Sequence, residues 1–231
     1  MQRVKSFVFN SFSLQDSTEL SSKNLTSELT SFHYSEKTGH GFKEIQSNNT
    51  IISGVYLKRI PTFIQDYDQD KQELSKKQVN IFLSINFEVD FEFNLLSVQG
   101  GLSQMNALKS AFRNVLSVKY ECSPIKLDAT VINQKMVEKS IKLLVSQMTI
   151  KAFNYKNGLI GRFSGSIINQ KVAQELIQDY KSEIVKLTFN IILNNSKELV
   201  LQVHPNGTIK FLSDDDQYLG FLNFIKNIII S

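Results

Sequence analysis

The sequence lacks tryptophan altogether and holds one cysteine, three prolines and three histidines in 231 residues. A lone thiol, Cys122, cannot close an intrachain disulfide. A cysteine-stapled framework is therefore excluded, and a reducing cytoplasm is the natural compartment. The same scarcity leaves no cysteine zinc set, and His33, His40 and His204 form no His-x-x-x-His pair. Without Trp, the large planar side chains of the core must come from the 17 Phe, which fill space without an indole N–H to satisfy. Long apolar runs are missing too. Tyr218 to Ile230 is the longest apolar-rich stretch, and Gly220, Asn223, Lys226 and Asn227 interrupt it, so it is too short to span a bilayer. Met1 to Leu14 mixes apolar residues with Asn10, Ser11 and Ser13 and lacks the continuous core of a secretion signal. No membrane insertion is expected.

Catalytic and cofactor motifs are likewise absent. There is no Gly-x-Ser-x-Gly elbow and no Gly-Lys-Ser or Gly-Lys-Thr phosphate loop. Gly100-Gly101 and Gly158, Gly161 and Gly165 have turn and helix-entry spacing rather than that of a dinucleotide fingerprint. Neither a cofactor nor a catalytic residue is expected. The 26 basic and 22 acidic residues leave a net charge of +4, which permits a polyanionic partner without requiring one. Hydrophobic residues at 42% and charged residues at 21% are ordinary globular usage and exclude global disorder. The Asn-, Ile- and Lys-rich composition suits a microbial, AT-rich genome.

The clearest pattern that is present runs from Val79 to Phe93. Apolar residues fill the odd positions and polar residues the even ones, with Phe82 as the single break. A period of two puts successive side chains on opposite faces, so the stretch predicts one long strand with a core face and a wet face. Before it, Val4 to Phe9 predicts a strand. Leu25, Leu29 and Phe32 have the spacing of a short helix in a Ser/Thr-rich setting, and Thr50 to Ile60 predicts a β-branched strand, with Pro61 stopping it or marking an edge. Gln65 to Lys77 is charged and poor in apolar residues, and reads as an exposed linker or the start of a solvated helix.

After the long strand the chain repeats an order. Leu95 to Val98 returns as a strand, and Met105, Leu108, Ala111, Phe112 and Val115 then follow helical spacing. Thr149 to Tyr155 and Leu159 to Ser164 flank the tight-turn dipeptide Asn157-Gly158, and Val172, Ala173, Leu176 and Ile177 form the next helical stripe. Leu199 to Val203 and Thr208 to Leu212 flank Pro205-Asn206-Gly207, and Tyr218, Phe221, Leu222 and Ile225 open a third stripe. Between these lie expected strands at Ile125 to Val131 and Val185 to Leu193. A helix from Gln134 to Gln147 is expected to point Val137, Ile141, Leu144 and Met148 inward. The fold class that follows is α+β, a mostly antiparallel curved sheet built from repeated β-hairpin-plus-helix units whose helices cover one face. Residues 1–78 form a polar N-terminal segment with short strands that pack on or extend the main sheet. Residues 79–231 form a core of three units, at about 79–117, 149–182 and 198–230, and the whole can be a single domain.

Two constellations could carry chemistry. Glu88, Asp90 and Glu92 share the wet face of the long strand, about 6–7 Å apart, and are weak candidates for a metal-dependent nuclease site. Cross-strand pairing with cations such as Lys58 or Arg59, or plain solvation, explains them without a metal, as charged residues are the norm on a strand's outer face. Lys135, Lys139 and Lys142 recur at helical spacing, and Lys151, Lys156 and Arg162 follow in a basic middle segment, 119–162, that could meet a phosphate backbone. The ordinary solvated side of an amphipathic helix explains the first three without a ligand. The reading that follows is a non-enzymatic accessory subunit of a multiprotein assembly. It would bind a protein partner, or another copy of itself, through an open sheet face or an edge strand. Nucleic-acid binding through the basic segment is the second reading and metal-dependent nuclease activity the third.

Overall fold

The computed structural model describes residues 3–15, 19–68, 72–138, 142–156, 158–192, 198–213 and 218–230. The chain is α+β. Its first half runs β1 (Arg3–Leu14), α1 (Glu19–Ser31), β2 (His40–Ser47), β3 (Ile51–Asp68), β4 (Glu73–Asp90), β5 (Leu95–Gln99), α2 (Leu102–Val115) and β6 (Tyr120–Pro124). Its second half runs α3 (Ala129–Glu138), β7 (Leu143–Lys156), β8 (Leu159–Ser166), α4 (Gln170–Asp179), β9 (Ile184–Ile192), β10 (Glu198–His204), β11 (Thr208–Ser213) and α5 (Tyr218–Ile230). The chain divides into two compact units, one of Met1–Ser11, Gln99–Leu102 and Ser123–Ser231, the other of Phe12–Val98 and Ser103–Cys122.

In the unit that holds Phe12–Val98, the strands are ordered β2-β3-β4-β5, and the β2–β3 and β3–β4 ladders are antiparallel. Its core collects Leu25 and Leu29 from α1, Phe42 from β2, Ile85, Phe87 and Val89 from β4, and Met105, Leu108 and Phe112 from α2. Most of the stripes expected from helical spacing is thus buried, but Phe32 lies past the end of α1, and it and Val115 are only half-buried. The Phe112 ring is the hub of the packing. Phe87 lies 5.6 Å from it, Phe42 5.9 Å, Tyr120 6.2 Å and Phe12 6.3 Å, centroid to centroid. Three of these four contacts are edge-on, the geometry that ring quadrupoles favour.

In the other unit the order is β1-β11-β10-β9-β7-β8, with antiparallel ladders from β1–β11 through to β7–β8. Leu187, Phe189 and Ile191 of β9 and Leu199, Leu201 and Val203 of β10 alternate into the core as expected. The β10–β11 turn has to be tight because Gly207 takes φ +82° and donor Phe9 N–H reaches its carbonyl at 3.0 Å. A Cβ there would lie 2.7 Å from the Phe9 carbonyl oxygen, so only glycine fits.

Several expectations are corrected. The long strand begins at Glu73 and ends at Asp90, so Gln65 to Lys77 is the outer part of a hairpin and not a linker. Of the two expectations for Pro61, the stop is wrong and the edge position holds: Pro61 pairs with Asn80 inside the ladder. Among the described residues the β2 ladder ends at Lys58 and the last bond on that side is from the Arg59 N–H to Gly39, so at Pro61 β3 is paired on one side only, where a missing N–H is tolerated. Ile125 to Val131 is not a strand. Asp128 accepts from the Thr130 N–H at 2.8 Å and from the Val131 N–H at 3.4 Å, capping α3. The expected helix from Gln134 to Gln147 stops at Glu138, and Leu143 already belongs to β7. Val137 and Leu144 are exposed, whereas Ile132 and Met136 point inward. The misleading spacing has a source in the ladder. A register shift between Val145 and Gln147 breaks the period of two and buries Val145, Met148 and Ile150, an i, i+3 step that imitates a helix.

Candidate interaction surface: the β3–β4 arm

β3 and β4 pair over 18 successive positions, from Ile51↔Asp90 to Asp68↔Glu73. The inner part belongs to the sheet, where Ile85, Phe87 and Val89 are buried opposite Tyr56, Gly54 and Ile52. Between Pro61 and Tyr67, and between Glu73 and Ser84, no residue is buried. Seven residue steps from Ile60 to Tyr67 at the usual rise make an arm about 25 Å long beyond the sheet. Its base is braced. The Arg59 N–H donates to the Gly39 carbonyl at 2.7 Å, and the Tyr34 ring meets Phe82 edge-on at 6.3 Å.

Cross-strand partners share a face, so the register sorts the arm's side chains. On one face stand the pairs Arg59–Phe82, Phe63–Gln78, Gln65–Lys76 and Tyr67–Leu74. On the other stand Ile60–Ile81, Thr62–Val79, Ile64–Lys77 and Asp66–Ser75. The second set continues the row that is buried in the sheet. The first continues the wet row of Ser84, Asn86 and Glu88, yet in the arm it turns aromatic. Phe82, the break in the alternation, is the first residue of that change. Phe63 is 66% exposed, Leu74 68%, Tyr67 54% and Phe82 54%, and Ile81 on the opposite face is 51% exposed. Large apolar side chains thus face water on both sides of a two-stranded ribbon, a construction that is marginally stable alone. Lys77 and Asp66 form an exposed ion pair at 3.7 Å, and the Ser75 hydroxyl donates to the Asp66 carbonyl. From Pro61 to Phe82 the sequence has four acidic and three basic residues, so the arm is close to neutral.

The acidic row expected on the long strand is split. Glu88 pairs with Ser53 and Asp90 with Ile51 in the ladder, but Glu92 lies in the turn between β4 and β5. Asp90 is buried at 3% exposure and accepts from the Phe93 N–H at 3.3 Å, a turn-capping role. Among the described residues, no group of three or more His, Cys, Asp and Glu side chains is placed to hold a metal ion.

The basic residues are dispersed over several elements. Lys135 sits on α3, Lys142 precedes β7, Lys151 and Lys156 are on β7, and Arg162 is on β8; Lys139 lies outside the described residues. A single helical face of Lys135, Lys139 and Lys142 is not formed, because α3 ends before Lys142. Lys151 is paired with Glu183 at 3.4 Å. Lys156 and Arg162 share the β7–β8 hairpin with exposed Tyr155, Leu159 and Ile160, and the Tyr155 hydroxyl donates to the Arg162 carbonyl at 2.7 Å.

The arm is not evident from the alternation of residues alone. The signal that could have found it was the pair of strand patterns in register on either side of Asp68–Glu73, together with Phe63, Tyr67 and Leu74 in a charged stretch. No protein-family model matches this chain, and no curated protein matches it in sequence. No helix among the described residues is long and apolar enough to cross a membrane.

Proposed function

We propose that this protein is a non-enzymatic interaction subunit that engages a partner protein through the β3–β4 arm. The observation that carries the reading is the exposure of Phe63, Tyr67, Leu74 and Phe82 on one face and Ile81 on the other. A surface apolar on both faces suits a partner that wraps or sheathes the ribbon, burying side chains from above and below. Its near-neutral charge suits a protein better than a nucleic acid, whose binding rests on neutralising phosphates. The nucleic-acid reading loses the continuous cationic helix face from which it began. In the same reading, the recurrent order β4–β5–α2, β7–β8–α4 and β10–β11–α5 is one hairpin-plus-helix unit used three times, its helices on one sheet face. The arm is then an elongation of the first hairpin.

The test replaces residues 61–80 by Asn-Gly, joining the directly opposed Ile60 and Ile81 through a two-residue turn. Light scattering and photo-crosslinking from position 82, which both chains keep, follow association in the native source extract. The expected result is crosslinked partner protein, or a mass above the monomer, that the shortened chain no longer yields. Association that survives the shortening refutes the arm as the contact.

A further inference from the structure

At the end of α2 a cavity of about 460 Å³ opens within the unit that holds the arm. Lys109, Arg113 and Lys119 line it together with Leu116, Tyr120 and Cys122. Lys109 and Arg113 are four residues apart on one helix and therefore share a face, which sets two like charges side by side. The two repel, and the negative end of the helix dipole offsets this for Arg113, in the last turn of α2. Among the described residues none of the three cations is in an ion pair. The Glu28 carboxylate meets the cavity wall at Ser117 and Val118, where it is taken up by hydrogen bonds and not by the cations. It accepts from the Ser117 N–H at 2.9 Å, from the Ser117 hydroxyl and from the Val118 N–H. On β6 the alternation puts Tyr120 and Cys122 on the cavity side and leaves Glu121 on the other. Tyr120 is held by Phe12, stacked at 5.5 Å, so the floor of the cavity is fixed. Burial pushes the Tyr120 hydroxyl up, Cys122 adds to this, and Arg113 pulls it partly back, which places the guanidinium within electrostatic reach of the ring oxygen.

We propose that this cavity binds a small phosphorylated molecule, its phosphoryl group against Lys109, Arg113 and Lys119 and its organic part against Leu116 and Tyr120. Three cations lining one cavity match the charge of a doubly charged tetrahedral oxyanion, and arginine can offer it two parallel N–H donors. The volume falls in the range of small-molecule sites, about 300–1,000 Å³, and exceeds what a bare oxyanion fills. This site is separate from the arm and does not depend on the arm's having a partner.

Cys122 lines the cavity and is the only thiol in the chain, so its alkylation reports occupancy without interference. The rate of its reaction with iodoacetamide is measured on the full chain against increasing phenyl phosphate, inorganic phosphate and sodium chloride at matched ionic strength. Phenyl phosphate is expected to slow the reaction saturably, with inorganic phosphate needing a higher concentration and chloride having no effect. The double variant Lys109→Gln, Arg113→Gln is expected to raise the half-protecting concentration at least about tenfold, as the loss of a charge-assisted hydrogen bond implies. Lys76→Gln, Lys77→Gln, a like change of charge on the arm, leaves it unaltered. No slowing beyond that by chloride, or slowing unchanged in the Lys109, Arg113 variant, overturns the proposal. Equal potency of the two phosphates overturns the organic part and assigns the cavity to free phosphate.

Discussion

Phe112 and Phe63 are the same residue in opposite environments, and replacing each by alanine separates the packed core from the arm. Phe112 is fully buried, with four aromatic rings between 5.6 and 6.3 Å around it. Removing a buried Phe ring costs about 3–5 kcal/mol in lost transfer and cavity energy. The edge-on partners place Phe112→Ala at the upper end, since each favourable ring pair adds about 0.5–1.5 kcal/mol beyond its area. With a urea slope of about 2 kcal/mol/M, the midpoint for this unit should fall by about 1.5–2.5 M at unchanged slope. Phe63 is 66% exposed, and exposed substitutions away from special features stay within about 0.5 kcal/mol. Its midpoint should therefore move by less than about 0.3 M. Tyrosine fluorescence and far-ultraviolet circular dichroism can follow both transitions, because the chain has no Trp to dominate the signal. Equal shifts for the two variants would show that the arm is packed in solution, and the reasoning from exposure would fail.

Two glycines of similar φ offer a second contrast: Gly207→Ala meets backbone oxygens at 2.7 and 3.0 Å, whereas a Cβ on Gly158 meets nothing within 4 Å. Gly158→Ala should cost only the left-handed strain, about 1–2 kcal/mol. Gly207→Ala should cost clearly more, read as the larger drop in melting temperature; equal drops would mean that the Phe9 contact is absent. His204 supplies a pH test. Burial, then repulsion from Lys210 and Lys186, hold its imidazole below the ordinary histidine range, against the raising effect of a hydrogen bond that the ring donates to the Val185 backbone carbonyl. The unfolded chain thus binds a proton that the folded chain refuses. Its contribution to stability is complete above pH 6.5 and is lost as pH falls through the depressed folded value. His204→Gln should flatten the decline in melting temperature on the acid side of pH 6.5, and an unaltered decline would remove His204 as its cause.

Helix faces were the most legible part of the fold. Leu25 and Leu29, or Met105, Leu108 and Phe112, recur at a spacing that only a helix brings together, and each set is buried. Tight hairpins were equally plain, since Gly158 and Gly207 both take positive φ at the expected turns. The failures share a cause in strand partners that lie far away in sequence. Whether Val145 and Met148 face one side depends on a bulge opposite Thr188 and Phe189, which local spacing cannot reveal. Pro61 ends a strand only if both of its edges are paired, and that depends on where β2 stops. The acidic row was visible as residues but not as geometry, because the turn after Asp90 takes Glu92 off the strand. The arm was hidden by its composition: apolar residues among Asp, Lys and Gln resembled a linker until the register aligned them on two faces.

The uninterrupted β3–β4 ladder also behaves as a zipper with one fixed end. Its inner pairs are locked by Ile85, Phe87 and Val89, whereas its outer pairs are tied only by backbone hydrogen bonds and exposed side chains. Opening therefore starts at the tip and is halted at the sheet, so amide exchange should slow stepwise from Tyr67 toward Tyr56. A partner that clamps the tip would close the zipper from its loose end, and its grip would register as slowed exchange several residues away, at the point where the ribbon enters the core.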